Sequence, residues 1–462
     1  MSYNNFTAAV CTLGCRVNQY ESDCIISEFI NLGFKIKDFG DICDVYVINT
    51  CTVTAGSDKK SKQMIRRAKR LNKNAVIAVC GCFSQRTPKT FKSDLKADIV
   101  IGTSEKAKIP GLAFDILNKN VPENNIFVKD IKEYTTYENI SAYQSEKTRA
   151  YIKIQDGCDC NCSYCIIPQV RGIVKSRSYI DIYDEIKWFN DMGYHEIVLT
   201  GIEISSYSKD FVGDGVLDVP CAVNLINLLE KLNGESDLNN ITSIRLSSVD
   251  PSLIKKDFID RLANLNKIAN HFHLSLQSGS TKILNLMRRK YNIETVINNI
   301  SYAEEHVKDL NLTADIIVGF PSETDKDFEE SIEIAKLLNI YHAHIFSYSI
   351  RPGTDAATFE NQVGENIKSL RSKNLSEVCE KNKEEIHRKN MGKKFDVIIE
   401  DLGRDGFYKA KTKNFIDVKI KSNAAVGTTW KPPPPENPNL HGTMQKIKII
   451  NYDKDYLYGE IL

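Results

Sequence analysis

No run of eighteen apolar residues occurs anywhere in the 462-residue chain, which excludes an ordinary transmembrane helix. Its first ten residues, MSYNNFTAAV, lack a basic stretch leading into an apolar one. No secretory signal is therefore expected, and the expected location is the cytoplasm, away from any membrane. Charge of one sign is missing as well: 61 basic against 60 acidic residues leave +1, so attraction to nucleic acid has to come from local clusters. An even cysteine count is also lacking. Thirteen thiols in a long chain without a signal argue against a disulfide framework. In a reducing compartment, clustered thiols bind metal or do redox chemistry. What is present is a globular composition, 42% hydrophobic and 26% charged, in a length that suits two or three domains.

Three segments differ in rhythm. Residues 1–143 alternate apolar runs (8–13, 44–49, 75–80, 97–101) with helical stretches such as 18–32 and 57–71. This βαβ pattern predicts an α/β, doubly wound parallel sheet. After a polar linker at 130–148, the region 144–390 repeats the pattern with strands at 150–154, 195–200, 243–246, 272–276, 312–318 and 342–347. Helices follow the first five, including 180–192, 222–232 and 326–338, and a charged helix at 362–390 leads out. Six βα units predict a partial (β/α)6 barrel rather than a full eightfold one. Residues 391–462 change to short alternating strands, KFDVIIE, GFYKAKTK, FIDVKIK, MQKIKII and YLYGEIL, which predict a small antiparallel β-barrel. The stretch WKPPPPENPNLHG interrupts them, and its four prolines favour an extended, exposed insertion.

The sharpest signal is GCDCNCSYC. Cys158, Cys162 and Cys165 follow the first barrel strand with the spacing C-x3-C-x2-C. Three thiolates so close can hold three irons of a [4Fe–4S] cluster and leave the fourth open for chemistry. A zinc site with Cys160 as fourth ligand, or a reactive-thiol loop, remains an alternative reading of the same spacing. Three more cysteines follow three strands of the first segment: Cys15 in TLGCRVNQYES, Cys51 in VINTCTVT and Cys82 in VCGCFSQ. Taken singly, each reads as a buried structural thiol. Taken together they occupy equivalent carboxyl ends of parallel strands, which open onto one crevice, and read as a second cluster site. Cys11, Cys24, Cys43, Cys80, Cys221 and Cys379 fit no ligand pattern and are expected to be structural.

The stretch KIQDGCDCNCSYCIIPQVRG resembles the signature of radical S-adenosylmethionine (SAM) enzymes, in particular the methylthiotransferases. The three N-terminal cysteine motifs resemble that family too. So do LTGIEISSY (199–207), RLSSVDP (245–251), LSLQSGS (274–280), MRRKY (287–291), DIIVGFPSET (315–324) and YSIRPGT (348–354). KIQDGC, RLSSVDP and MRRKY are most similar to the subfamily that modifies threonylcarbamoyladenosine in transfer RNA. The chain has GIEISSYS and PSET where the family pattern reads GIHLGSYG and PGET. The resemblance implies two [4Fe–4S] clusters, one on Cys158, Cys162 and Cys165 and an auxiliary one on Cys15, Cys51 and Cys82. It implies SAM on the open iron, with Tyr164 against its adenine, and a C-terminal barrel of the TRAM type that binds RNA. It also implies a reaction. An electron cleaves SAM to a 5′-deoxyadenosyl radical, the radical takes a hydrogen from carbon 2 of adenine, and a methylthio group replaces it. The implied partners are the anticodon loop of transfer RNA and an electron donor such as flavodoxin or ferredoxin.

Glu203, Ser248, Gln277 and Arg289 fall at or beyond predicted barrel-strand ends, where barrel enzymes place working groups. Glu203, Ser248 and Gln277 are expected to bind cofactor, with capping or salt-bridging as the plainer reading. Arg171 and Arg177 flank the cysteine loop and are open to SAM contact, RNA contact or a surface role. Segment 59–73 carries Lys59, Lys60, Lys62, Arg66, Arg67, Lys69, Arg70 and Lys73 and no acid. A solvated helix face accounts for most such runs, but uncompensated charge suits a phosphate backbone, and these eight are expected to bind RNA. The last segment has 12 basic against 9 acidic residues over 391–462, a weaker hint of the same kind. Rival readings are the isopentenyladenosine and ribosomal-protein aspartate methylthiotransferases, and a non-catalytic iron–sulfur protein of RNA binding or electron transfer.

Overall fold

The computed structural model describes residues 6–120, 125–142, 148–211, 224–421 and 440–462. Cys221 and the WKPPPPENPN stretch lie outside the described residues.

The N-terminal segment folds as a six-stranded, all-parallel sheet. Its central strands, Val45–Thr50 and Val76–Gly81, are buried at every position. Continuous apolar runs of that kind belong to parallel sheets covered on both faces, and two apolar clusters, one per face, cover this one. Thr7–Thr12 and Ile99–Ile101 flank them. Two-residue edge strands, Lys35–Ile36 and Ile126–Phe127, extend the sheet and are too short to show a pattern in sequence. The helix Ala55–Leu71 starts where the Thr54 side chain accepts from the Ser57 amide. It turns Ser61, Ile65 and Ala68 to the sheet and its basic residues outward.

The six expected barrel strands are Ala150–Lys153, Glu196–Thr200, Ser243–Leu246, His271–Gln277, Asn311–Val318 and His342–Ser347. They run parallel in two sheets. A seventh, two-residue strand, Ser248–Val249, pairs with the fourth. Phe272, Leu274, Leu276, Leu312, Ala314 and Ile316 are buried in the main core. The alternate positions, His271, His273, Gln277, Thr313, Asp315 and Ile317, therefore face the barrel interior.

The last segment is a closed five-stranded barrel. Four of its pairings are antiparallel, as expected; the fifth, between Asp417–Lys421 and Leu457–Ile461, runs parallel and closes the ring. This small barrel plugs the amino ends of the parallel strands. Phe415 stacks on His271 at 4.5 Å, Arg245 donates to the Lys413 carbonyl at 3.1 Å, and Asn311 donates to the Asn414 carbonyl at 2.9 Å. The opposite, carboxyl end stays free for the cysteine loop, where barrel enzymes place their chemistry.

Arg171 and Arg177 are neither surface charges nor free to meet SAM or RNA. Each is 1% exposed. Arg177 pairs with Glu185 and contacts the Tyr20 hydroxyl. Arg171 pairs with Glu21 at 2.6 Å and Asp156 at 3.0 Å. Glu21 also meets Lys106 and, at 2.9 Å, Lys153. Burial alone would raise the Glu21 pKa, but Arg171, Lys106 and Lys153 hold it well below the usual carboxylate range. These buried pairs bolt the N-terminal sheet to the barrel.

Candidate active site between two cysteine clusters

Cys15 caps the helix Arg16–Asn31 directly after the first strand, Cys51 follows the strand Val45–Thr50, and Cys82 begins the helix Cys82–Arg86 after Val76–Gly81. Two glycines let them approach. Gly14 has φ +96°, and a Cβ there would lie 2.7 Å from Cys51 Cβ and 2.8 Å from its Sγ. Gly81 has φ +101°, and its Cβ would lie 2.4 Å from the Thr50 carbonyl oxygen. The three thiols feel one another: burial, with Cys82 and Cys15 nearby, pushes Cys51 up to about 11, and Cys15 is raised by burial despite Arg171. Arg171 Nε donates to Cys82 Sγ at 3.4 Å.

The second cysteine group lies across from the first. Cys158, Cys162 and Cys165 sit in the loop between the first barrel strand and the short helix Ile167–Arg171. Burial pushes Cys165 up to about 12. Arg289 Nη1 donates to Cys162 Sγ at 3.3 Å, and its Nη2 pairs with Asp250. The Cys160 amide donates to Cys158 Sγ at 3.4 Å. Hydrogen bonding between these two thiols raises Cys158 and lowers Cys160 to about 6.

These donors fit iron–sulfur clusters better than mononuclear zinc. Tetrahedral zinc with 2.3 Å bonds would hold its sulfurs about 3.8 Å apart. Among the described residues, the one set of ligand atoms all within 4.8 Å of one another is His273, Asp315 and His344, not a cysteine set. A four-iron cube spreads its thiolates wider. Arg171 and Arg289 already offer N–H donors to sulfur, and a bound metal would displace the thiol protons.

A cavity of about 220 Å³ lies between Cys165 and the residues that follow Cys51. Val53 and Thr54, just past Cys51, form one wall; Tyr164, Cys165 and Ile166 form another; Gln277, Asp315, Ile317 and Phe346 come from the barrel. Gln277 ends its strand at φ +63°, an uncommon conformation for a non-glycine residue. Arg351 anchors the rim by donating to Thr52 Oγ1 at 2.8 Å and Asp58 Oδ2 at 2.7 Å.

The four residues expected to bind cofactor do not share one cavity. Tyr164 and Gln277 line the joint cavity. Glu203 lines a neighbouring one of about 240 Å³ with Cys160, Cys162, Asp250 and Arg289. Burial, then Asp250, raises Glu203 to about 7. Ser248 lies beside His273 in strand register and lines neither cavity. Sequence reasoning missed His273, Asp315 and His344; their only signal is the alternation of polar residues within apolar strands.

The basic helix starts at the cavity wall. None of its eight basic side chains forms an ion pair among the described residues. Lys59, Lys60, Arg66, Arg67, Arg70 and Lys73 are exposed, whereas Lys62 lies over the Phe83 ring and Lys69 donates to the Lys96 carbonyl.

Fold and cysteine loop together define a radical SAM enzyme with an added N-terminal module. Residues 152–335 match the radical SAM superfamily, and residues 7–102 match the family described as Uncharacterized protein family UPF0004. The chain is 34% identical to the threonylcarbamoyladenosine tRNA methylthiotransferase MtaB of Bacillus subtilis, over 99% of this chain and 96% of that protein. It is 35% identical to MtaB of Aquifex aeolicus, over 90% and 97%. A tRNA-2-methylthio-N(6)-dimethylallyladenosine synthase of Acetivibrio thermocellus is 32% identical over 90% and 85%. Among solved structures, the radical SAM methyltransferase TsrM of Kitasatospora setae shares the fold, with a TM-score of 0.55 and 14% identity over 77% of each chain. The chain belongs to the radical SAM methylthiotransferase family and is MtaB-like over nearly its whole length. It is a transferase, of a family that works with SAM and [4Fe–4S] clusters.

Proposed function

We propose that this chain adds a methylthio group to carbon 2 of N6-threonylcarbamoyladenosine beside the anticodon of transfer RNA, in the cytoplasm, with electrons from a flavodoxin or ferredoxin. The joint cavity carries the reading, because it is walled on one side by residues next to Cys51 and on the other by Tyr164 and Cys165. The MtaB relatives support the substrate. In this reading residues 1–143 hold the auxiliary cluster on Cys15, Cys51 and Cys82. Residues 144–390 hold the SAM cluster on Cys158, Cys162 and Cys165, and residues 391–462 form the RNA-holding barrel.

When bound, the two clusters and SAM supply the radical that removes the hydrogen and the sulfur that replaces it, chemistry no side chain can perform on an unactivated carbon. The chain does the rest. Tyr164 and Gln277 position the cofactor, Arg289 and Arg171 steady sulfur ligands, and the apolar wall of Ile166, Ile317 and Phe346 excludes water. The adenine must leave its stack to enter, which suits a loop nucleotide. The exposed cations of 59–73 lie beside that entrance and suit the phosphate backbone.

Nucleoside mass spectrometry of transfer RNA from a deletion strain tests the proposal. Loss of 2-methylthio-threonylcarbamoyladenosine, with its unmethylthiolated precursor accumulating, is the expected result. Loss of the dimethylallyl counterpart instead would overturn the substrate.

A further inference from the structure

The last strand of the parallel barrel is open where a barrel is normally packed. His342–Ser347 pairs with Asn311–Val318 and ends its sheet, so among the described residues the first and last barrel strands are not joined. Its outer face is core. Ala343 is buried there with Leu375, Val378 and Cys379 of the helix Glu365–Lys389, and Ile345 packs against the same cluster. The inner face carries His342, His344 and Phe346, and all three are exposed. Phe346 is 42% exposed even though it lines the joint cavity. Interior positions of a closed barrel are filled by neighbouring side chains; here they are three rings left in contact with solvent.

The middle ring is held in place. His344 meets His342 at 5.0 Å and 90°, and His273 at 5.3 Å and 67°. His273 is itself fixed by Thr313 Oγ1 at 2.6 Å and Asp315 Oδ1 at 3.1 Å. The strand also runs between the two segments read above as holding RNA. Tyr341, just before it, packs in the core of the small C-terminal barrel, and its hydroxyl accepts from the Asp417 amide at 3.4 Å. Just past its other end, Ser349 Oγ accepts from the Ala55 amide at 3.1 Å, where the basic helix begins. At about 3.3 Å per residue, His342 to Phe346 covers about 13 Å, which is about four stacking steps of a nucleic acid strand.

We propose that the inner face of 342–347 is a stacking track for the anticodon-loop nucleotides next to the target adenosine. Phe346, at the cavity mouth, takes the neighbour that the unstacked adenosine leaves bare. This rests on the transfer RNA substrate proposed above. An adenosine that enters the cavity strips one face of the base beside it, which costs stacking energy. Proteins that recognise single-stranded RNA replace that stacking with Phe, Tyr, Trp or His rings. An imidazole with an ordinary pKa of about 6.5 is mostly neutral at pH 7, so the three rings form an uncharged platform. The basic helix at one end supplies the complementary part, cations for the phosphates. Phosphate contacts alone would hold any loop; contacts to bases fix which nucleotide stands at the cavity.

The test measures binding of anticodon stem-loops to anaerobically reconstituted full-length protein. One loop is intact, and two others lack the base on the 5′ or the 3′ side of the target adenosine. Phe346→Leu keeps an apolar side chain in the cavity wall but removes the ring. It should weaken the intact loop by about 5- to 100-fold. The slope of log affinity against log salt should stay as in the wild type, because no phosphate contact is lost. On one of the two abasic loops Phe346→Leu should bind as the wild type does, and Phe346→Tyr should bind the intact loop as the wild type does. His342→Leu, at the far end of the track, should also weaken the intact loop by at least about fivefold without changing the salt slope. Both positions are exposed, so iron content and circular dichroism should match the wild type. Wild-type affinity in either Leu variant, or the same loss by Phe346→Leu on all three loops, overturns the track. Failure of the wild type to bind any anticodon stem-loop would instead overturn the transfer RNA reading itself, so the two failures are separable.

Discussion

Glu21→Gln removes one negative charge and almost no volume from the seam between the N-terminal sheet and the barrel. Glu21 is 1% exposed and contacts Arg171, Lys153 and Lys106. In the wild type these three cations face two anions, Glu21 and Asp156. In the variant they face Asp156 alone. Breaking a buried pair by removing one partner costs about 3–5 kcal/mol, because the stranded charge stays desolvated. At roughly 2–4 °C per kcal/mol for units of this size, the melting temperature of the reconstituted protein should fall by about 6–20 °C. Glu28→Gln, on the exposed face of the same helix, is the control and should shift it by about 1–2 °C at most. The pH dependence follows from the lowered pKa. The stabilisation from Glu21 is fully present above its unfolded pKa, near the ordinary Glu value of about 4.3. It disappears as pH falls through the lower folded value. The gap between wild type and variant should therefore be full at pH 7 and narrow below about pH 4. Equal melting of Glu21→Gln and Glu28→Gln at pH 7 would refute the claim that this network holds the two units together.

Anaerobically reconstituted protein should bind about eight irons, and Cys15, Cys51 and Cys82 replaced together by Ala should leave about four; full iron in the triple variant would dismiss the N-terminal site. Cys158→Ala should abolish 5′-deoxyadenosine release, whereas Cys51→Ala should still release it yet form no methylthio product. Loss of release in both, with the fold intact by circular dichroism, would end that division of labour. Reversing Arg66, Arg67 and Arg70 to Glu should flatten the plot of log transfer RNA affinity against log salt by roughly 0.7–0.9 for each phosphate no longer neutralised. An unchanged slope would make the helix an ordinary solvated face.

Whatever depends on neighbours along the chain was legible in the sequence. Apolar runs such as VYVINT and VIAVCG could only be central strands of a covered parallel sheet. The six barrel strands showed as a βα rhythm, and Cys158, Cys162 and Cys165 as one loop of thiols after the first of them, because their spacing is local. Cys15, Cys51 and Cys82 were legible one step further out, since strand ends in a parallel sheet converge by topology. The two-residue edge strands were invisible because two residues carry no period. The parallel closure of the small barrel was hidden because pairing order leaves no trace in alternation. The partnering of charges came from the tertiary fold. In sequence Arg171 only flanks the cysteine loop, open to SAM contact, RNA contact or a surface role, yet it meets Glu21 across 150 residues of chain. Likewise His273, Asp315 and His344 carry no shared motif and gather only when three strands pair side by side in one sheet. Burial and electrostatic partnership are properties of distance in space, and local sequence does not encode that distance.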